Sequence, residues 1–122
     1  MANILVVEDE DNIAIALDFL LTRDGHRHDR LATGKDAVSC IRQSRPDLVL
    51  LDVMLPDVSG YQVLQDVRAD PDLAQIRVLL MTARGSVVEH RKGMALGADG
   101  FIAKPFELAE LRAEMARLLD RQ

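Results

Sequence analysis

The chain is poor in aromatic residues. Only 3% are Phe, Trp or Tyr, and Trp is absent, so a core must be filled by Leu, Val, Ile, Met and Ala. One cysteine, Cys40, excludes an internal disulfide framework and a multi-thiol metal centre, and reads as a small buried hydrophobe. No apolar run approaches the length of a membrane span and no signal-peptide pattern opens the chain, so a cytoplasmic domain is expected. There is no basic surplus either. The formal charge is −5, which argues against direct nucleic-acid binding, where a clustered basic face is needed. Repeats, linkers and low-complexity stretches are missing too. What remains is 122 residues with 48% hydrophobic and 29% charged content, the balance of one globular domain spanning 1–122.

Against that background one stretch stands out, the apolar run Leu48 to Leu51 ending at Asp52, with Pro56 and Asp57 close behind. An uninterrupted run of strand length beside turn residues predicts a strand buried on both faces. A carboxylate at its carboxyl end is costly unless solvated, paired or bound to a cation, and open α/β sheets place their ligands at that edge. Asn3 to Val7 is a second such run, ending at Glu8-Asp9-Glu10-Asp11, where Asp11 suits a helix start. Ile76 to Met81 (Ile-Arg-Val-Leu-Leu-Met) reads as another strand, ending at Thr82-Ala83, and Phe101-Ile102-Ala103 as a short one, ending at Lys104-Pro105. His26 to Leu31 is polar and fits an edge strand. Its two histidines read as surface residues.

Helices fill the intervals. Ile13, Leu17, Leu20 and Leu21 form one stripe, stopped by Gly25. A second helix is predicted over 34–43 with Ala37, Val38 and Ile41 inward. Ser59 is expected to cap a third carrying Val63, Leu64 and Val67, broken at Asp70-Pro71. A fourth opens at Gly85-Ser86, carries the basic cluster His90-Arg91-Lys92 and runs to about Gly97. The last has Leu108, Leu111, Met115, Leu118 and Leu119 as a core stripe. Five β-α units predict a doubly wound α/β fold, a parallel sheet with helices on both faces.

Parallel strands bring Glu8-Asp9, Asp52, Thr82 and Lys104 to one edge. Two like charges about 4 Å apart repel by roughly 4 kcal/mol at an effective dielectric near 20, so three carboxylates there need a cation. Lys104 supplies one charge, and an all-oxygen set of Glu8, Asp9 and Asp52 favours Mg2+ over Zn2+. An Asp oxygen can attack phosphorus, with Mg2+, Lys104 and the Thr82 hydroxyl around the phosphoryl oxygens. Taken singly, each residue has a plainer role as a turn, cap or surface group. Only their coincidence on one edge points to chemistry.

The order Glu8-Asp9, Asp52, Thr82-Ala83, Lys104-Pro105-Phe106, with Leu51-Asp52-Val53-Met54-Leu55-Pro56, Gly60 and Leu96-Gly97-Ala98-Asp99-Gly100, resembles a response-regulator receiver domain of two-component signalling over essentially the whole chain. The resemblance implies a flavodoxin-like five-stranded parallel sheet of order 2-1-3-4-5. It implies Asp52 as phosphoacceptor, served by a sensor histidine kinase, a phosphotransfer protein or a small phosphodonor. It gives Glu8, Asp9, Asp52 and the Met54 backbone carbonyl to Mg2+, and Thr82, Ala83 and Lys104 to the phosphoryl group. Thr82 and Phe101 become the switch, the Lys104-Pro105 bond is cis, and Met54 and Arg84 flank the site and tune phosphoryl lifetime. Output would pass through the surface of the fourth helix, fifth strand and fifth helix to an unidentified effector. A charged dimer network there is incomplete, with Lys92, Asp99 and Glu110 matching but Gly100 and Glu114 not. An Asp-nucleophile phosphatase needs a second Asp where Met54 stands, and a non-phosphorylated pseudo-receiver would lack groups this chain retains.

Overall fold

The computed structural model describes residues 2–83 and 86–120. Strands and helices alternate: β1 Asn3–Val7, α1 Asp11–Arg23, β2 Arg27–Leu31, α2 Ala37–Ser44, β3 Leu48–Asp52, α3 Gly60–Ala69, β4 Arg77–Thr82, α4 Val87–Ala95, β5 Gly100–Ala103 and α5 Leu108–Leu119, with a single 3-10 turn at Pro71–Leu73 before β4. All four strand pairings are parallel and the order is β2-β1-β3-β4-β5. The flavodoxin-like order implied by the resemblance is the one observed.

Each inner strand serves two cores because successive side chains point to opposite faces. Leu5, Val7, Val49, Leu51, Val78 and Leu80 pack on one face with Ile41 of α2 and Val63, Leu64 and Val67 of α3. Ile4, Val6, Leu48, Leu50, Leu79 and Met81 pack on the other with Leu17, Leu20 and Leu21 of α1 and Leu111, Met115 and Leu118 of α5. This explains why the middles of β1, β3 and β4 read as apolar runs, with polar residues only at their ends. β2 is the polar edge, and its pairing stops at β1.

Several expectations shift. Helix α2 begins at Ala37 rather than at 34, since 34–36 form the preceding loop. Leu108 opens α5 and is 36% exposed, so the core stripe begins one turn later, at Leu111. Cys40 is only half-buried, packed against the core edge. His26 and His28 each have a partner of their own: His26 Nδ1 accepts the Ala2 N–H at 3.1 Å, and His28 Nε2 lies 2.7 Å from Asp18 Oδ1. Ser59 does cap α3, its hydroxyl accepting the Tyr61 N–H at 3.1 Å. Asp70 caps the 3-10 turn in the same manner. Gly85 and Arg84, expected at the start of α4 and beside the site, lie outside the described residues.

Candidate phosphoacceptor site

The sheet order reverses between β1 and β3, and a ligand crevice is expected outside the carboxyl ends of those two strands. Glu8 and Asp52 stand there. Glu8 follows β1 directly, its N–H bonded to the Leu31 carbonyl of β2 (2.9 Å). Asp52 is the last residue of β3, in register with Met81. Both side chains are buried, at 0% and 1% exposure. Across the crevice, Thr82 ends β4, fully buried and in register with Ala103. Its carbonyl accepts the Lys104 N–H at 2.7 Å. That bond places Lys104, and the Lys104-Pro105 peptide is cis.

The Lys104 ammonium meets both buried carboxylates. Nζ is 2.7 Å from Glu8 Oε1 and 3.2 Å from Asp52 Oδ2, with the more exposed Glu10 Oε1 at 3.4 Å. The remaining oxygens accept main-chain donors, Glu8 Oε2 from Glu10 N–H (3.1 Å) and Asp52 Oδ1 from Met54 N–H (3.0 Å). Burial pushes the Glu8 carboxyl up from 4.5 to about 7, against the pull of Lys104. Burial pushes the Lys104 ammonium down, but Glu8 and Asp52 outweigh it and the net shift is upward. One lysine therefore serves more negative charge than it neutralises.

Room for a further cation shows in the donor atoms. Among the described residues, Glu8 Oε1, Asp9 Oδ1 and Asp52 Oδ2 are buried without a hydrogen-bond partner; the first and third each meet Lys104 as ion pairs. Carboxylate oxygens of Glu8, Glu10 and Asp52 lie within 4.8 Å of one another. An all-oxygen, carboxylate-rich set fits a hard divalent cation. Asp9, assigned to the metal by resemblance, lies outside that trio, and Glu10, not assigned from sequence, lies within it. The chain leaves β1 still extended at Glu10 (φ −80, ψ 114), so alternate side chains 8 and 10 share a side. The signal available in the sequence was only the unbroken acidic run.

Three other assigned residues surround this centre. Met54 is half-exposed, and its N–H is the one that holds Asp52. Phe101, three residues before Lys104 on β5, is half-buried with its ring stacked on His90 of α4 (centroids 4.9 Å apart, planes within 3°). Ala83 is exposed and lines an apolar groove of about 500 Å3 beside Lys104, together with Ile13, Pro105, Phe106 and Leu108.

The raised Glu8 carboxyl gives a pH prediction. Between 4.5 and about 7 the folded chain holds a proton there that the unfolded chain releases, so stability falls as pH rises through that window. The full deficit, on the order of 3 kcal/mol, is present above pH 7. Asp57, Asp70 and Glu114 are shifted the other way; their contribution holds above the ordinary carboxylate range and is lost on acidification. Urea melts without divalent metal are therefore expected to show highest stability near pH 5 and a decline toward pH 8. Glu8→Gln should flatten the decline, and an unchanged slope in that variant would count against the assignment.

Comparison with known proteins agrees with this geometry. The model of the response regulator receiver domain family matches residues 4–116. The chain is similar to the transcriptional regulatory protein AfsQ1 of Streptomyces coelicolor, 38% identical over 99% of this chain and 52% of that protein. Among solved structures it is similar to chemotaxis protein CheY4 of Vibrio cholerae (TM-score 0.89, 27% identity, 97% of this chain and 98% of that one). It is also similar to the receiver domain of the sensor histidine kinase PA1611 of Pseudomonas aeruginosa, solved with magnesium in its active-site cleft (TM-score 0.90, 28% identity, 98% of each chain). The chain spans about half the length of the curated relatives it matches. No helix among the described residues is long and apolar enough to cross a membrane. With the fold, the crevice and these matches in agreement, the chain belongs to the receiver-domain family of two-component response regulators.

Proposed function

We propose that this receiver accepts a phosphoryl group on Asp52, from the phosphohistidine of a sensor kinase or phosphotransfer protein, and passes the change to an effector. The observation that supports it most is the buried Asp52 carboxylate, held at Oδ1 by the Met54 N–H and met at Oδ2 by Lys104. An Asp52 oxygen attacks phosphorus, the P–N bond of the phosphohistidine breaks, and the electron pair leaves with the imidazole. A carboxylate has no proton to lose, so no general base is needed. Mg2+, held by Glu8, Asp9, Asp52 and the Met54 carbonyl, would offset charge on the phosphoryl oxygens. Lys104 pairs with those oxygens in exchange for Glu8, and the Thr82 hydroxyl and Ala83 N–H donate to them.

Output is assigned to the α4-β5-α5 face, where the Phe101 ring stacks on His90. The relatives named as transcriptional regulators favour an effector that acts on transcription, with this chain as the receiving half. Dimerisation through that face would lack part of the charged network. Asp99 Oδ2 is already bonded to Arg68 at 2.7 Å and Glu114 to Arg117 at 2.8 Å within the one chain.

Intact-mass measurement after incubation with Mg2+ and acetyl phosphate tests the reading. One added phosphoryl group is expected, abolished by a chelator and by Asp52→Asn. A folded, Mg2+-binding chain that never gains the mass would instead be a pseudo-receiver.

A further inference from the structure

The loop joining β3 to α3, residues 53–59, carries the main chain next to Asp52, and its ends are tied. Val53 N–H bonds the Met81 carbonyl (2.9 Å), and Gly60 N–H bonds the Val53 carbonyl (3.0 Å). Its middle is tied as well, by a residue that the site does not use. Asp57 is solvent-exposed, yet both of its carboxylate oxygens accept main-chain donors from the β2-α2 loop: Oδ1 from Gly34 N–H and Oδ2 from Lys35 N–H, each at 2.9 Å. The two loops are also in close contact. A Cβ built on Gly34 would lie 3.1 Å from Leu55 Cδ1 and 3.2 Å from the Val58 carbonyl oxygen. Asp57 is not a helix cap, because Ser59 fills that place on α3. The N–H bonds hold its carboxyl below the usual range, in keeping with an ionised, doubly accepting group.

We infer that Asp57 is a positioning residue for the acceptor site: by fastening loop 53–59 to the 34–35 turn it fixes where the Met54 main chain stands relative to Asp52 and a bound divalent cation. This rests on the phosphoacceptor reading above. The Asp52 main chain is held by β3, in register with Met81, and its Oδ2 meets Lys104 without help from the loop; the loop's Met54 N–H reaches Oδ1 alone, so the ability of Oδ2 to attack should survive a loosened loop. The cation set, which draws on the loop, should not. Loss of an outer partner of a metal site commonly lowers affinity by about 10- to 100-fold, and the lower end suits a residue acting through a loop.

The test is a direct Mg2+ titration by calorimetry, without phosphodonor, on the wild-type chain, Asp57→Ala and Asp57→Asn. Asp57→Ala is expected to raise the Mg2+ dissociation constant roughly tenfold. Asp57→Asn, which keeps one acceptor oxygen while losing the charge, should fall between it and wild type. In acetyl phosphate labelling, the half-saturating Mg2+ should rise by the same factor in Asp57→Ala, with the rate at saturating Mg2+ within about twofold of wild type. Unchanged Mg2+ affinity in Asp57→Ala, or equal losses in both variants, overturns the proposal, the second because charge alone would then account for the effect. If Asp57→Ala fails to fold, Asp57→Asn against wild type decides on affinity. A wild-type chain that binds Mg2+ but takes up no phosphoryl group removes the acceptor reading and leaves this comparison standing. One that binds no Mg2+ overturns the inference.

Discussion

Gly60→Ala is expected to destabilise the fold by at least about 3 kcal/mol, a large loss for one methyl group. Helix α3 starts against the end of β3 so closely that a Cβ at this position would sit 2.2 Å from the Asp52 carbonyl oxygen and 2.8 Å from Val53 Cα. Those neighbours are backbone atoms and cannot rotate aside. Either α3 slides outward, losing the packing of Val63, Leu64 and Val67, or the end of β3 moves and takes Asp52 with it. The helix-propensity gain of Ala over Gly, about 1 kcal/mol, offsets only part. Urea unfolding measures the first outcome and Mg2+ affinity the second. A loss below about 1 kcal/mol with normal Mg2+ binding would mean that the contact is softer than the geometry states.

Lys104→Met should have the next largest effect, and one with a distinctive pH signature. Removing one partner of a buried ion pair costs about 3–5 kcal/mol because the other charge is left without compensation. Here two nearly inaccessible carboxylates, on Glu8 and Asp52, lose the cation they both meet. Glu8 has an escape, since its carboxyl is already raised to about 7 and would rise further without the ammonium. The loss should therefore be smaller below about pH 7, where Glu8 is protonated with or without the lysine, and grow as pH rises above that value. Mg2+ at millimolar concentration should restore much of the stability at the higher pH. A loss that ignores both pH and Mg2+ would point to lost packing of the lysine stem instead.

The sequence made β1, β3 and β4 legible because strands buried on both faces are mostly apolar, with polar residues kept to their ends, as at Asp52 and Thr82, and β2 because an edge strand can be polar throughout. The helices α3 and α5 followed from spacing. The start of α2 did not, and the reason lies far along the chain. Gly34 and Lys35 belong to the preceding loop, their N–H groups given to Asp57, 23 and 22 residues on. The same limit hid Arg68, whose guanidinium bonds the Ile76 and Gly97 carbonyls and Asp99, 8 to 31 residues away. Spacing within an element says nothing about such partners. At the site, Asp52, Glu8 and Lys104 were found because strand ends in a parallel sheet share an edge. Glu10 was not singled out, since an acid in an acidic run carries no mark of which way it faces.

Helix α4 has a mechanical asymmetry that follows from its anchorage. Its single buried residue is Gly93, seated on Leu80 of β4. Just past its carboxyl end, Gly97 turns the chain at φ +105 with its carbonyl held by Arg68 Nε at 2.8 Å, while Arg68 also grips Asp99. The amino end has its Ser86 cap and a side-chain tie from Glu89 to Tyr61, but Val87 and Val88 there are exposed. Such an element behaves as a lever with a clamped heel. A small displacement near Thr82 would leave the clamped end in place and move the amino end most, carrying the exposed Val87 and Val88 through the widest arc.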